Sequence, residues 1–405
     1  MRRVTIEELR TGDRLGRDVS AHPADELPLL RAGNRISDSQ RASLQRSGVL
    51  AVWIADGLSD GIEPLEVLSD ETKRRANAAI HEAFKNVAAS LPNKRSPISA
   101  EVVMEMSKVA EWIIRDITRN VESALALNDL ANADSYTLKH SLAVTTLGLA
   151  LGLRVMHRYG WVDVYGRTRW DDIEERLIPL AVGLLLHDIG TLAVPQEIMQ
   201  KSGELTDEEL AAVRMHPMAG VEILKKAHGI SPLSRAVVRS HHERWDGSGY
   251  PEKKAGANIH QFARIAAVAD VYDALTSERY HRKARAAHDV HAFIVKRAGR
   301  DFDPQVVEIF RSFVTPFPPG TPVVLSDGYC GLVKEVKQNA VLVPVVRIIV
   351  DPSGTMVEPH DVDLADVPGV TIVSTNFDVP DVEVPDVEVP DVAVPDLEVP
   401  EPVLT

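Results

Sequence analysis

The residues best suited to chemistry are histidines and aspartates placed where apolar runs end. Leu177 to Leu186 is such a run, and it delivers His187 and Asp188 side by side, followed by Ile189-Gly190. Imidazole nitrogen and carboxylate oxygen suit zinc, iron or manganese. A buried carboxylate is costly unless something neutralises it, and a metal ion does so. A lone His-Asp pair is more often the polar cap of a helix C-terminus, here with Gly190 as the stop. Here the pair has company. Met215-His216-Pro217, His241-His242-Glu243 and Val268-Ala269-Asp270 follow, and His140 precedes it. One tetrahedral ion would leave several of these groups idle. Five imidazoles and two carboxylates suit two octahedral ions that share a carboxylate.

Three longer motifs occur in order: the HD pair, the block His241-His242-Glu243-Arg244-Trp245-Asp246-Gly247-Ser248-Gly249-Tyr250-Pro251, and the pair Asp270 and Asp273. Over roughly Asp134 to Phe313 the chain resembles the HD-GYP family of metal-dependent phosphohydrolases. The resemblance implies two divalent ions, iron or manganese. Asp188 would bridge them. His140, His187 and Asp270 would complete one ion, and His216, His241 and His242 the other. Two such ions ionise a shared water and clamp a phosphoryl group for in-line attack, with no protein nucleophile. Asp188 and Asp273 are the residues expected to carry the chemistry. The implied reaction is hydrolysis of cyclic di-GMP to pGpG or GMP.

Substrate contacts are expected at Arg279 and Arg282, whose guanidinium forks match phosphate oxygens, and at Tyr250. Two positions depart from the family pattern. Some members hold a third ion with a glutamate one turn before the first histidine, where this chain has Tyr136, so two ions are expected. Lysine usually follows the HD-x-G sequence and meets the scissile phosphate, but this chain has Thr191. A hydroxyl brings no charge, and losing a transition-state donor costs about 10²–10³ in rate. Lys201 or Arg282 would have to compensate. Two other readings therefore stand beside the enzyme. One is a sensor that binds cyclic di-GMP with little or no turnover. The other is hydrolysis of a different nucleotide, with Trp161 to Trp170 reshaping the pocket.

Helices must carry these groups. The predicted fold is mainly α: an HD-type helical bundle with a small α/β N-terminal module and a small all-β C-terminal subdomain. Residues 1–60 form the module, with Ser37 to Gly48 helical and Val49 to Ile54 a strand. Residues 61–130 form a helical linker region. Ile80, Phe84, Val87 and Leu91 make one stripe, stopped by Pro92, and Val109 to Leu125 makes another. These stripes dock in the chain or pair two chains as a homodimer. The HD-GYP domain covers 131–315. Within it Tyr136 to Leu151 bears His140, a hairpin turns near Tyr165-Gly166, and Pro217 biases His216 to an extended conformation. Residues 316–375 read as the β subdomain.

From Asp378 a Val-Pro-Asp-Val-Glu sequence repeats with period five, and residues 376–405 are expected to be a disordered acidic tail. That segment holds nine of the acidic residues and no lysine or arginine, which leaves a net −5 of the total −14 on the rest. Charge therefore gives no reason to expect a nucleic-acid partner. The N-terminus lacks a signal-peptide core, no apolar run is expected to reach the ~20 residues of a membrane span, and the single cysteine, Cys330, forms no internal disulfide. A cytoplasmic protein without membrane attachment is the expectation.

Overall fold

The computed structural model describes residues 1–20, 28–90, 98–120, 136–163, 165–201, 203–225, 227–277, 284–338, 340–375 and 377–380. Among these residues the chain is mainly helical, with three small sheets.

The N-terminal module pairs β1 (Arg2–Thr5) antiparallel with β2 (Ala51–Ile54). Between them lies α1 (Asp38–Arg46). Ser37 starts α1 through a capping box with Gln40, which satisfies two backbone donors that the first turn leaves over. Leu9, Leu15, Leu44, Val49 and Ile54 close a small separate core.

Two long helices follow, α2 (Asp70–Ser90) and α3 (Ala100–Arg119). Their apolar stripes are spent on the main core: Ile80, Val87, Val109, Ile113 and Ile117 are buried with residues of the bundle. This is docking within the chain. Leu91, Pro92, Val121 and Leu125 lie outside the described residues.

The bundle itself begins with α4 (Tyr136–Tyr159), two turns longer than its sequence pattern suggests. It packs on α5 (Ile173–Leu185) through Gly148 and Gly152. A Cβ on Gly148 would come within 2.6 Å of a Leu184 methyl, and one on Gly152 within 2.5 Å of a Leu180 methyl. The missing side chains let the two helices approach closely, and that approach brings His140 to His187. A 3-10 turn, Ile189–Ala193, continues α5. Together they make a segment, Ile173–Ala193, that is long and apolar enough to span a bilayer. This corrects the sequence expectation. The reason for its apolarity is burial, since Leu177, Leu180, Leu184, Leu185 and Leu186 are core residues.

Short helices complete the bundle: α6 (Gln196–Met199), α7 (Asp207–Arg214), α8 (His216–Lys225), α9 (Pro232–Ser240), α10 (Gln261–Thr276), α11 (Ala287–Lys296) and α12 (Pro304–Phe313). A second correction concerns His216, which opens α8 rather than adopting an extended conformation. Pro217 then sits in the first helical turn, where its missing N–H costs nothing. The hairpin of β3 (Trp161–Val162) and β4 (Thr168–Arg169) is present. It is tied down rather than free. Trp161 is buried and donates to the Asp171 carbonyl, and Gln261 holds Val162 N–H and the Gly160 carbonyl.

The C-terminal sheet has strand order β8-β7-β6-β5-β9, all antiparallel, from β5 (Pro322–Leu325), β6 (Cys330–Glu335), β7 (Val345–Val350), β8 (Met356–Asp363) and β9 (Ile372–Ser374). It is joined to the N-terminal module. Leu58 and Ile62 are buried with Leu332, Ile349 and Val350, and Arg347 donates to the Asp60 carbonyl. Phe377 and Val379 pack on the same cluster, so the chain stays attached a few residues beyond the expected start of the tail. Residues 381–405 lie outside the described residues.

Candidate metal centre

Helix ends build most of the site. The last turn of a helix leaves carbonyl oxygens without intrahelical donors. Three histidines use them. His187, just past α5, donates Nδ1–H to the Leu184 carbonyl at 2.8 Å. His216, just past α7, does the same with Val213 at 2.8 Å. His241 caps α9 and meets the carbonyls of Val237 and Val238 at 3.2 and 3.0 Å. A donor at Nδ1 fixes the neutral tautomer and leaves the Nε2 lone pair pointing inward. The fourth, His140, lies inside α4, where the carbonyls are taken. Its Nδ1 reaches the Asp273 carboxylate on α10 at 2.6 Å, and Ser277 Oγ donates to the other oxygen of Asp273 at 2.9 Å.

The four Nε2 atoms converge on Asp188. Its Oδ2 lies 3.4 Å from His187 and 3.8 Å from His140, and its Oδ1 lies 3.3 Å from His216 and 3.7 Å from His241. One carboxylate thus faces two groups of ligands. Asp270 faces His140 Nε2 at 3.2 Å through one oxygen and His242 Nδ1 at 3.6 Å through the other. Donor atoms of His140, His187 and Asp270 form one cluster, and those of Asp188, His216, His241 and His242 another.

The donor chemistry fits metal ions. His187 and His140 bring Nε2 atoms to 3.3 Å of each other, and so do His216 and His241. Facing lone pairs at that distance repel unless a cation or proton lies beside them. The electrostatics agree. Burial pushes the His140 imidazole down, but Asp270 and Asp273 outweigh it and hold it up at about 10. Burial pushes His241 down, and burial with His241 beside it holds His242 well below its ordinary range. These two therefore offer lone pairs at neutral pH. Against the cost of burial, the surrounding imidazoles hold Asp188 and Asp270 far below the usual carboxylate range. The carboxylates in turn hold His140 and His187 up, so cationic charge is favoured at the centre of the cluster, and a metal ion placed there would take over from those protons.

Two devices hold this arrangement. Gly190 packs its backbone on α8: a Cβ there would stand 1.9 Å from the His216 carbonyl oxygen and 2.5 Å from Gly220 N. The turn carrying Asp188 and the helix carrying His216 are locked together through that bare backbone. Glu243 is buried, and its two carboxylate oxygens accept from Glu252 N–H at 2.8 Å and Lys254 N–H at 3.1 Å. It thereby folds the 244–256 loop back over the site. Within that loop Tyr250 N–H bonds to the His242 carbonyl at 3.2 Å, and the Tyr250 ring stacks on the His242 ring at 4.7 Å.

The chain is 32% identical over 389 residues to the protein named cyclic di-GMP phosphodiesterase PA4108 of Pseudomonas aeruginosa, covering 89% of this chain and 88% of that one. The chain belongs to the HD family, as an HD-GYP protein. The HD domain model matches residues 152–306. A protein of Vibrio cholerae named 3'3'-cGAMP-specific phosphodiesterase 2 is 37% identical over 125 residues, which cover 31% of this chain and 24% of that protein. Among solved structures, Bd1817, a HDG"Y"P protein from Bdellovibrio bacteriovorus, aligns with a TM-score of 0.47 and 16% identity over 76% of this chain and 97% of that one. The family and these named relatives support a hydrolase of nucleotide phosphodiesters with a metal-binding His/Asp cluster.

Other expected HD-GYP positions fall differently. Asp273 stands behind His140 rather than among the converging atoms, so it acts through that imidazole. Thr191 donates its hydroxyl proton to the Asp188 backbone carbonyl at 2.7 Å, which closes the 3-10 turn and leaves no proton for a substrate. Lys201 is ion-paired with Glu209 at 2.6 Å on the surface. Arg279 and Arg282 lie outside the described residues, as does the Tyr136 side chain. Sequence reading gave no role to Glu243, although it adjoins two ligand histidines, and it passed over Arg214, two residues before His216.

Proposed function

We propose that this chain hydrolyses a phosphodiester of cyclic di-GMP, giving pGpG or GMP, with two iron or manganese ions held by His140, His187, Asp188, His216, His241, His242 and Asp270. One observation carries the reading: Asp188 directs its two oxygens to two separate clusters of inward-facing donors. Two divalent ions in such a site supply Lewis acidity and an ionised water at neutral pH. The chain's own residues do the rest. Asp188 bridges the two clusters and fixes their spacing. Asp273 holds the Nδ1–H of His140 and so turns its Nε2 towards the ion that would displace the second proton. Glu243 and Tyr250 hold the loop that shapes one wall, and Arg279 and Arg282 are the proposed phosphate contacts. A single cysteine, Cys330, accords with the reducing cytoplasm, where we place the enzyme.

The substrate rests on the name of the Pseudomonas relative, which is matched over most of its length. A slow or non-hydrolysing sensor is the second reading, favoured by the commitment of Thr191 to the Asp188 carbonyl. The test is to incubate metal-analysed protein with cyclic di-GMP under reducing conditions and chromatograph the products. Appearance of pGpG or GMP supports the enzyme. Tight binding with no product supports the sensor. Cleavage of 3'3'-cGAMP with cyclic di-GMP left intact would assign a different cyclic dinucleotide.

A further inference from the structure

The described part of the site has few cations able to meet an anionic substrate. Lys201 is paired with Glu209, and Arg239 with Glu252 at 2.6 Å. Arg244 turns away from substrate space and donates to the carbonyls of His241 and Glu243. Thr191 carries no charge and its proton is engaged. Arg214 is different. It ends α7, two residues before His216, and its side chain is exposed. Its guanidinium lies 5.7 Å from the centre of the Tyr250 ring, which in turn stacks on His242. Among the described residues no carboxylate pairs with it. A guanidinium resting on an aromatic ring keeps its N–H edge available for planar, bidentate recognition of phosphate. Tyr250 thus neighbours both His242 and Arg214, and the guanidinium lies beside the cluster of converging donor atoms rather than within it. That offset suits a phosphate other than the one at the metal centre.

Resting on the cyclic-dinucleotide reading above, we propose that Arg214 binds the second, non-scissile phosphate of the substrate and makes the site selective for diesters that carry two phosphates. Tyr250 then serves as the shelf that holds Arg214 in place, since one face of its ring is already covered by His242.

The test compares wild type, Arg214→Gln and Arg214→Lys, each loaded with manganese and analysed for metal. Two substrates are used: cyclic di-GMP, with two phosphates, and bis(p-nitrophenyl) phosphate, with one. Arg214→Gln should raise KM for cyclic di-GMP about 10- to 100-fold, as expected for loss of a charged hydrogen bond. Metal content and turnover of the one-phosphate diester should stay within about twofold. Arg214→Lys should recover part of the loss, because it restores charge without the fork. An unchanged KM in Arg214→Gln overturns the proposal while leaving the enzyme reading intact. An equal loss on both substrates also overturns it, since Arg214 would then act on the metal centre. Wild type that cleaves only the one-phosphate diester, and does not bind cyclic di-GMP, removes the cyclic-dinucleotide reading and this proposal with it.

Discussion

Two kinds of histidine meet at Asp188, and they are oriented by different means. His187, His216 and His241 stand at helix C-termini and bond to carbonyls of the turn they follow. His140 stands within α4 and depends on a side chain from another helix, Asp273. The first kind is local. Any sequence that ends a helix there supplies its own acceptor, three residues back. The second kind is long-range, since 133 residues separate the partners. Capping and the inward presentation of donor nitrogens are therefore one arrangement in this protein. The carbonyls that a helix end must satisfy are the groups that turn each imidazole inward.

The largest expected effect comes from breaking what both kinds share. Gly190 joins the turn of Asp188 to the start of α8. Gly190→Ala should push these apart, because the new Cβ meets backbone rather than a side chain that can swing away. A loss of about 3 kcal/mol or more is expected, together with loss of bound metal. Thermal melting and metal analysis measure it. A variant that melts like wild type and holds as much metal would show that α8 can shift at no cost.

The next effect separates the two kinds. Asp273→Ala should free His140 to rotate or to change tautomer while His216 and His241 keep their carbonyl partners. Loss of such a supporting carboxylate typically costs 10- to 100-fold in metal affinity or activity. After dialysis, metal content should fall from two ions towards one, and turnover should fall with it. Asp273→Asn retains an acceptor and should lose less. Two tightly held ions and full turnover in Asp273→Ala would show that α4 alone fixes His140.

The same contrast explains what could be read in the sequence. An apolar run followed by His-Asp-x-Gly shows both the helix and its stop, so the donor groups at helix ends are legible with their neighbours. Helix α1 was equally legible, because Ser37 and Gln40 spell out its capping box. His140 was identified through its motif, but its dependence on Asp273 was not. An i, i+3 pair of aspartates on α10 shows a shared face and not which one meets a distant imidazole. Glu243 shows the same limit, as its partners are the backbone N–H groups of Glu252 and Lys254, and backbone groups leave no mark in sequence. The apolarity of Ile173–Ala193 was underestimated because charged residues at its edges hide how completely its middle is buried.

The smallest effect sharpens the comparison at Asp188 itself, and it concerns Thr191. The hydroxyl of Thr191 donates to the Asp188 carbonyl, so its part is to close the turn that presents Asp188. Thr191→Val keeps the shape and removes that bond. A neutral hydrogen bond contributes about 0.5–1.5 kcal/mol, so the melting temperature should fall by a few degrees. Turnover should stay within about twofold, because a proton already committed to backbone cannot also be given to the substrate. Thr191→Lys removes the same bond and adds a charge at the position where lysine is usual in the family. It should lose comparable stability, and it should raise turnover only if its ammonium reaches the scissile phosphate. A gain in turnover with KM unchanged would mark a contact made in the transition state, whereas uniform binding would alter KM alone. The discriminating result is turnover in Thr191→Val. A fall of 100-fold with metal content intact would mean that the hydroxyl leaves the Asp188 carbonyl and meets the substrate, and that the turn is not closed during the reaction.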